Sequence, residues 1–174
     1  MLDIGKIDLI IFDFDGVLTN NKVSIDQKGN ELVSCNRGDG LGFDVLRKLK
    51  KSTYIISTEK NPVVTVRAKK LNVPVMQGIN DKSQTLTRLS EEAGIALNRI
   101  LYLGNDLNDY YAMQLCGYSV CPFDSHPKIK KIASIVLNTC GGEGVVRELL
   151  EEIFQLDFLE ILYNNIWFAK KLTI

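Results

Sequence analysis

Short apolar runs and segments of helical spacing take turns along this chain. "LIIF" at 9–12, "TYIIS" at 53–57 and "ILYL" at 100–103 are nearly continuous apolar stretches, the pattern of strands buried on both faces. "VPVMQ", "YSVCP" and "SIVLN" predict three shorter strands. Between them, "DGLGFDVLRKLKK" sets Phe43, Leu46 and Leu49 at helical spacing with lysines in the last turn. "NPVVTVRAKKL" offers Asn61 as a cap and Pro62 as the first helical residue. "DKSQTLTRLSEEAG" predicts a helix closed by Gly94. "DLNDYYAMQLCG" predicts another, and shorter helices are expected near 125–131 and from about 143. Residues 21–35 break the rhythm: they alternate around the turn signal "QKGN" and read as a β-hairpin. Strands alternating with helices predict an α/β chain whose parallel sheet is covered on both faces.

Composition narrows the class. A chain of 174 residues is long enough for one domain with a full core, expected over 1–174. The 21 basic and 21 acidic residues balance, so nothing points to nucleic acid. The apolar runs are too short to span a bilayer, and "MLDIGKID" carries acids where the basic region of a signal peptide would stand. Cys35, Cys116, Cys121 and Cys140 show no CxxC spacing and have one histidine for company. They read as reduced thiols of a cytoplasmic protein, not a zinc site. The tail, about 156–174, is apolar with a basic patch and is expected to dock somewhere the sequence does not specify.

In open parallel sheets, ligands bind beyond the carboxyl ends of the strands. The residues there are Asp13 and Asp15 after the first strand, Ser57, Thr58 and Glu59 after the second, and Gly104 to Asp109 after "ILYL", with Lys82 opening a helix nearby. Two carboxylates two residues apart repel each other, and burial worsens it, so a compensating cation is expected. Oxygen ligands of this kind suit Mg²⁺. Carboxylates with Mg²⁺, one lysine and one hydroxyl form a set for handling phosphate. Asp13 can attack phosphorus, while Asp15 protonates the leaving alcohol and then activates water. Taken singly, each feature has a plainer reading: aspartates are common in turns, Ser57 could be a cap and Lys82 a solvated helix start.

The four pieces together, "DFDGVLT", "IIST", "DK" and "GNDLND", resemble in order and position the motifs of the haloacid dehalogenase-like phosphatases, over nearly all of residues 8–150. The resemblance implies a Rossmann-like, doubly wound parallel sheet. It makes Asp13 the nucleophile and a metal ligand, and Asp15 the acid/base that also ligates through its carbonyl. Ser57 and Lys82 would hold phosphate, and Asn105, Asp106 and Asp109 would complete the metal contacts. Larger members insert a cap domain; only the small hairpin flap of 21–35 stands in that place here. This is similar to the cap-less subclass that contains phosphatases of octulosonate 8-phosphate and of nonulosonate 9-phosphates, as well as the tail domain of acylneuraminate cytidylyltransferases. "CGGEGVVREL" is similar to a segment typical of that subclass, whose members are usually homotetramers in which a neighbour supplies the missing cap.

Two departures bear on substrate. The octulosonate enzymes usually read T-G-R after the second strand, where this chain has Ser57, Thr58 and Glu59. Their N-x-R-D-G becomes Asn36, Arg37, Gly38, Asp39 and Gly40. Reversing a charge at the rim changes which acid is received. With Lys70 matching a lysine of the deaminoneuraminate phosphatases, the resemblance favours a nine-carbon acid. Gly16, Asn36, Arg37, Asp39, Gly40, Thr58, Glu59, Arg67 and Lys70 are the expected substrate contacts. Arg67 and Lys70 share a helical face at i, i+3, though Glu59 and Lys70 also read as solvated charges and Arg37 as part of an ion pair at the hairpin base. A third departure concerns activity itself. Asn105 stands where the family usually has a metal-binding aspartate, which keeps open a regulatory or assembly domain of the same fold. A receiver-type signalling module would carry its aspartate after the third strand instead of the first.

Overall fold

The computed structural model describes the backbone of residues 2–171 and the side chains of residues 2–164. Its centre is a six-stranded parallel sheet in the order β5-β4-β1-β6-β7-β8. The strands are β1 (Leu9–Phe12), β4 (Ser52–Ile56), β5 (Val75–Met76), β6 (Ile100–Leu103), β7 (Tyr118–Cys121) and β8 (Ile135–Val136). β1 lies between β4 and β6, pairing Phe12 with Ile55 on one side and Leu103 on the other. The middle strands are apolar because successive side chains enter different cores. Ile10, Phe12, Leu101 and Leu103 join one cluster with α1 (Gly38–Lys48), α2 (Val63–Leu71) and α6 (Val145–Glu148). Leu9, Ile11, Ile100 and Tyr102 join the opposite cluster with α3 (Lys82–Ala93), α4 (Tyr110–Leu115) and α5 (Pro127–Ile132). The sheet is thus doubly wound. Burial of each large apolar side chain contributes about 1.5–3 kcal/mol, so the central strands anchor whatever is mounted on their ends.

Local chemistry sets the boundaries. Asp81 caps α3 by accepting from Ser83 N at 2.9 Å and Gln84 N at 3.1 Å, and Gly94 closes the helix in the left-handed conformation. Asn61 Oδ1 accepts from Val63 N at 3.1 Å, starting α2. The hairpin is β2 (Thr19–Ile25) and β3 (Glu31–Cys35), beginning two residues earlier than its alternation suggests. Its turn is held by Asp26 Oδ1, which accepts from Lys28 N and Asn30 N, with Gly29 at φ +82°.

The tail forms α7 (Phe158–Lys171). Phe158 is buried in the α1-side cluster under the Arg147 guanidinium, 4.8 Å from its ring, and Ile161 and Leu162 pack there too. The start of the expected docking segment is therefore spent on the chain's own core. Residues 172–174, and the side chains from 165 onward, lie outside the described residues. Among the described residues no helix is long and apolar enough to cross a membrane.

Candidate active site

β1 and β6 are neighbours, so the turns after both open at one edge of the sheet. β1 delivers Asp13, whose backbone N donates to Leu103 O at 2.9 Å. α3 delivers Lys82. Its Nζ lies 2.7 Å from Asp13 Oδ1 and 2.7 Å from Asp109 Oδ1, with all three side chains almost wholly buried. One ammonium between two carboxylates leaves the cluster one negative charge in excess. Burial, and then the Asp109 charge, push the Asp13 carboxyl well above the usual range, with Lys82 pulling it back. Lys82 itself loses charge stability by burial but more than recovers it from Asp13 and Asp109, so its pKa is raised.

Asp109 is saturated. Its Oδ1 accepts from Lys82 and from the Tyr102 hydroxyl at 3.0 Å, and its Oδ2 accepts from Asn105 N at 2.9 Å and Asp106 N at 3.3 Å. This carboxylate holds Lys82 and the 104–109 turn at once. Tyr102 escaped notice in the sequence because a tyrosine in an apolar strand looks like core.

Asp15 is half-buried. Thr19 Oγ1 donates to Asp15 Oδ1 at 3.3 Å and accepts from Gly16 N at 3.2 Å. Burial, and next the charge of Glu59, raise its pKa, which suits a group that must carry a proton to a leaving oxygen. Thr19 is a second residue the sequence reading passed over. Its signal was a hydroxyl four residues after Asp15, inside the same motif.

Gly16 has φ +78°, and a Cβ there would lie 1.9 Å from the outer end of the Asn105 side-chain amide. The Asp15–Gly16 turn can approach the 104–109 turn only because residue 16 is glycine. Turned with its nitrogen inward, the Asn105 amide donates to the Asp15 carbonyl at 2.8 Å and to Asp13 Oδ2 at 3.2 Å; in the opposite orientation its oxygen faces only acceptors. Converging oxygens beside an excess negative charge fit a hard divalent cation held by Asp13, the Asp15 carbonyl and Asn105. Among the described residues no three His, Cys, Asp or Glu side chains suffice for a metal by themselves. A cation there would draw on backbone and amide oxygens as well as on carboxylates.

A cavity of about 340 Å³ opens over these groups, lined by Asp13, Asp15, Asn105 and Asp106, together with Asn21, Thr58, Leu107 and Asn108. Ser57 is buried beside it, its Oγ accepting from Glu59 N at 3.0 Å. Asn108 Nδ2 donates to Thr58 Oγ1 at 3.3 Å, tying the β4 and β6 turns across the cavity.

The other expected contacts fall in several places. Glu59 Oε1 accepts from Lys60 N and Asn61 N, so the carboxylate folds onto its own loop while remaining close enough to act on Asp15. Arg67 is half-buried and donates to Asn36 O at 2.7 Å. Lys70, one turn on, is exposed and is not among the cavity-lining residues. Arg37 is exposed, Gly40 is half-buried, and Asn36 Oδ1 accepts from Gly38 N. Asp39 is buried, its Oδ1 accepting from Val146 N at 3.1 Å while its Oδ2 has no partner. Burial pushes its pKa up to about 6.

The "CGGEGVVREL" segment braces the site from behind. Gly142 N donates to Val17 O, and a Cβ on Gly141 would lie 2.2 Å from Gly16 O. Glu148 accepts from Asn138 N and Thr139 N. His126, which the sequence left without a role, donates its backbone N to Asn105 O at 2.9 Å and caps α5 through Nδ1.

Two aspartates, a buried lysine and a set of converging oxygens lie together at the end of a doubly wound sheet, an arrangement suited to handling phosphate. Residues 43–149 match the family of haloacid dehalogenase-like hydrolases, and the chain belongs to it. Within that family it is a cap-less phosphatase similar to the 3-deoxy-D-manno-octulosonate 8-phosphate phosphatase of Salmonella typhi. The two are 34% identical over 147 residues, which is 84% of this chain and 78% of that one. Among solved structures, a HAD-family protein of Streptomyces avermitilis superposes with TM-score 0.85 at 43% identity, covering 87% of each chain. The octulosonate 8-phosphate phosphatase of Moraxella catarrhalis, solved with magnesium, phosphate and KDO, superposes with TM-score 0.82 at 27% identity, covering 97% of this chain and 95% of that one.

Proposed function

We propose that this protein is a Mg²⁺-dependent phosphomonoesterase acting on a sugar-acid phosphate through an aspartyl-phosphate on Asp13. The observation that carries the reading is Lys82, buried between Asp13 and Asp109 beside a half-buried Asp15 of raised proton affinity. The Asp13 carboxylate attacks phosphorus, and the bond to the sugar oxygen breaks as Asp15 gives that oxygen its proton. Asp15, now ionised, takes a proton from water, which attacks the phosphorus and releases Asp13. Thr19 keeps Asp15 aimed throughout, and Lys82 and Ser57 bind phosphoryl oxygens. Asp13, the Asp15 carbonyl and Asn105 would hold Mg²⁺, with Asp106 at the cavity wall and Asp109 acting through Lys82 and the turn. The ion supplies charge neutralisation for the phosphoryl group.

The Salmonella typhi and Moraxella catarrhalis relatives act, by their names, on the eight-carbon acid. For this chain a nonulosonate 9-phosphate is favoured and octulosonate 8-phosphate comes next, because Glu59 puts negative charge beside Asp15 where the octulosonate enzymes carry arginine. Of the expected substrate contacts Thr58 lines the cavity, with Gly16 under the phosphate in this reading, whereas Asn36, Arg37, Asp39, Gly40, Arg67 and Lys70 are not among its lining residues. Val23 and Ile25 leave exposed apolar side chains on one face of the hairpin and Leu32 another on the opposite face, which supports a homotetramer in which neighbours cover the cavities. One domain over 1–174 and a cytoplasmic location fit the free thiols. Phosphate release from octulosonate 8-phosphate, deaminoneuraminate 9-phosphate and N-acetylneuraminate 9-phosphate, with Mg²⁺ and then with chelator, tests the reading. Metal-dependent release favouring a nine-carbon acid is expected. Release from none of them by folded protein would favour the regulatory domain instead, with the uncharged Asn105 as the reason.

A further inference from the structure

Asn105 is pinned at both ends of its backbone. Its N donates to Asp109 Oδ2 and its carbonyl accepts from His126 N. The side chain is 7% exposed and Gly16 closes over it. What remains free is rotation of the amide about its last bond. Lys82 Nζ and Phe14 N both take Asp13 Oδ1, and the Asn105 amide is placed to donate to Asp13 Oδ2. With nitrogen inward, the amide joins Asp13 Oδ2 to the Asp15 carbonyl. With oxygen inward, it adds a third acceptor, an arrangement that a cation between them would satisfy.

We propose that the Asn105 amide is a two-position element of the cation site, which rests on the Mg²⁺ reading above. Oxygen faces inward when the cation is bound, and nitrogen faces inward when it is not, so the side chain itself links Asp13 to Asp15 in the metal-free protein. An ionised aspartate cannot do this, since both of its ends accept. The amide trades cation affinity, which grows with ligand charge, for a site that stays ordered without metal.

The test compares wild type with Asn105→Asp by Mg²⁺ titration calorimetry and by thermal unfolding in EDTA and in saturating Mg²⁺. Asn105→Asp should bind Mg²⁺ at least about tenfold more tightly, unfold several degrees lower in EDTA and show the larger rise on adding Mg²⁺. In wild type, the Asn105 side-chain NH₂ resonances should move when Mg²⁺ saturates the site. Equal affinities and equal unfolding temperatures in EDTA would overturn the amide's role while leaving the metal reading intact. No Mg²⁺ binding by either protein would overturn the metal reading, and the proposal with it. If Asn105→Asp does not fold in EDTA, the wild-type amide resonances decide, and signals unmoved by Mg²⁺ overturn the proposal.

Discussion

The floor and the rim of this cavity are built on different terms. On the floor, Lys82, Asp13 and Asp109 are almost wholly buried, and Asp109 alone takes four donors. On the rim, Thr58 is exposed, and Glu59 is bonded to its own loop. A buried charge must find all of its partners inside the protein, so the floor tolerates almost one arrangement. A rim charge finds water in any arrangement, so its identity is free to follow the substrate. The geometry of the floor is therefore tied to the fold, whereas the rim side chains have slight energetic ties to it.

Asp13→Asn is the strongest attempt to break this contrast. It should lower turnover by at least about three orders of magnitude with the fold retained, as steady-state kinetics and circular dichroism would record. Activity within a few-fold of wild type would remove Asp13 from the nucleophile's role. Lys82→Met tests the floor as structure. Two facing carboxylates would lose their ammonium, and urea unfolding in chelator should show a loss of about 3–5 kcal/mol. A loss below about 1 kcal/mol, the range of a surface pair, would mean the floor is no different from the rim.

Asp39 tests burial away from the cavity. Its raised pKa means the folded protein holds a proton there that the unfolded chain has released. Stability from this group is therefore present at low pH and is lost as pH rises from about 4 to about 6. Asp39→Asn keeps an acceptor for Val146 N and should flatten that slope, adding about 1–3 kcal/mol at pH 7 relative to wild type. Urea midpoints measured at pH 4 and pH 7 decide it, and an unchanged slope would show that Asp39 is not the group responsible. The smallest effect is expected on the rim. Glu59→Arg should lower the ratio of nine-carbon to eight-carbon activity roughly tenfold, about 1.4 kcal/mol. Glu59→Gln, which retains the acceptor for Lys60 N and Asn61 N, separates charge from loop-holding. A ratio moved by Arg but not by Gln would assign Glu59 to the loop, and one moved by neither would make it a solvated charge.

The sequence by itself determined the sheet, the helices and the four chemical positions. Strand burial, caps and glycines are local signals, and "DFDGVLT" with "GNDLND" places carboxylates at strand ends whatever else the chain does. It could not show that Tyr102 turns a hydroxyl from the core onto Asp109, that Thr19 steers Asp15, or that the glycines of "CGGEG" exist to pass behind Gly16. Nor could it show that Glu59 bends back on its own loop while Lys70, paired with it by the family resemblance, stays exposed off the cavity wall. Those are decided where β1, β4 and β6 bring turns some 40 to 90 residues apart into contact, because hydrogen-bond saturation and close backbone approach depend on distances that only the folded chain creates.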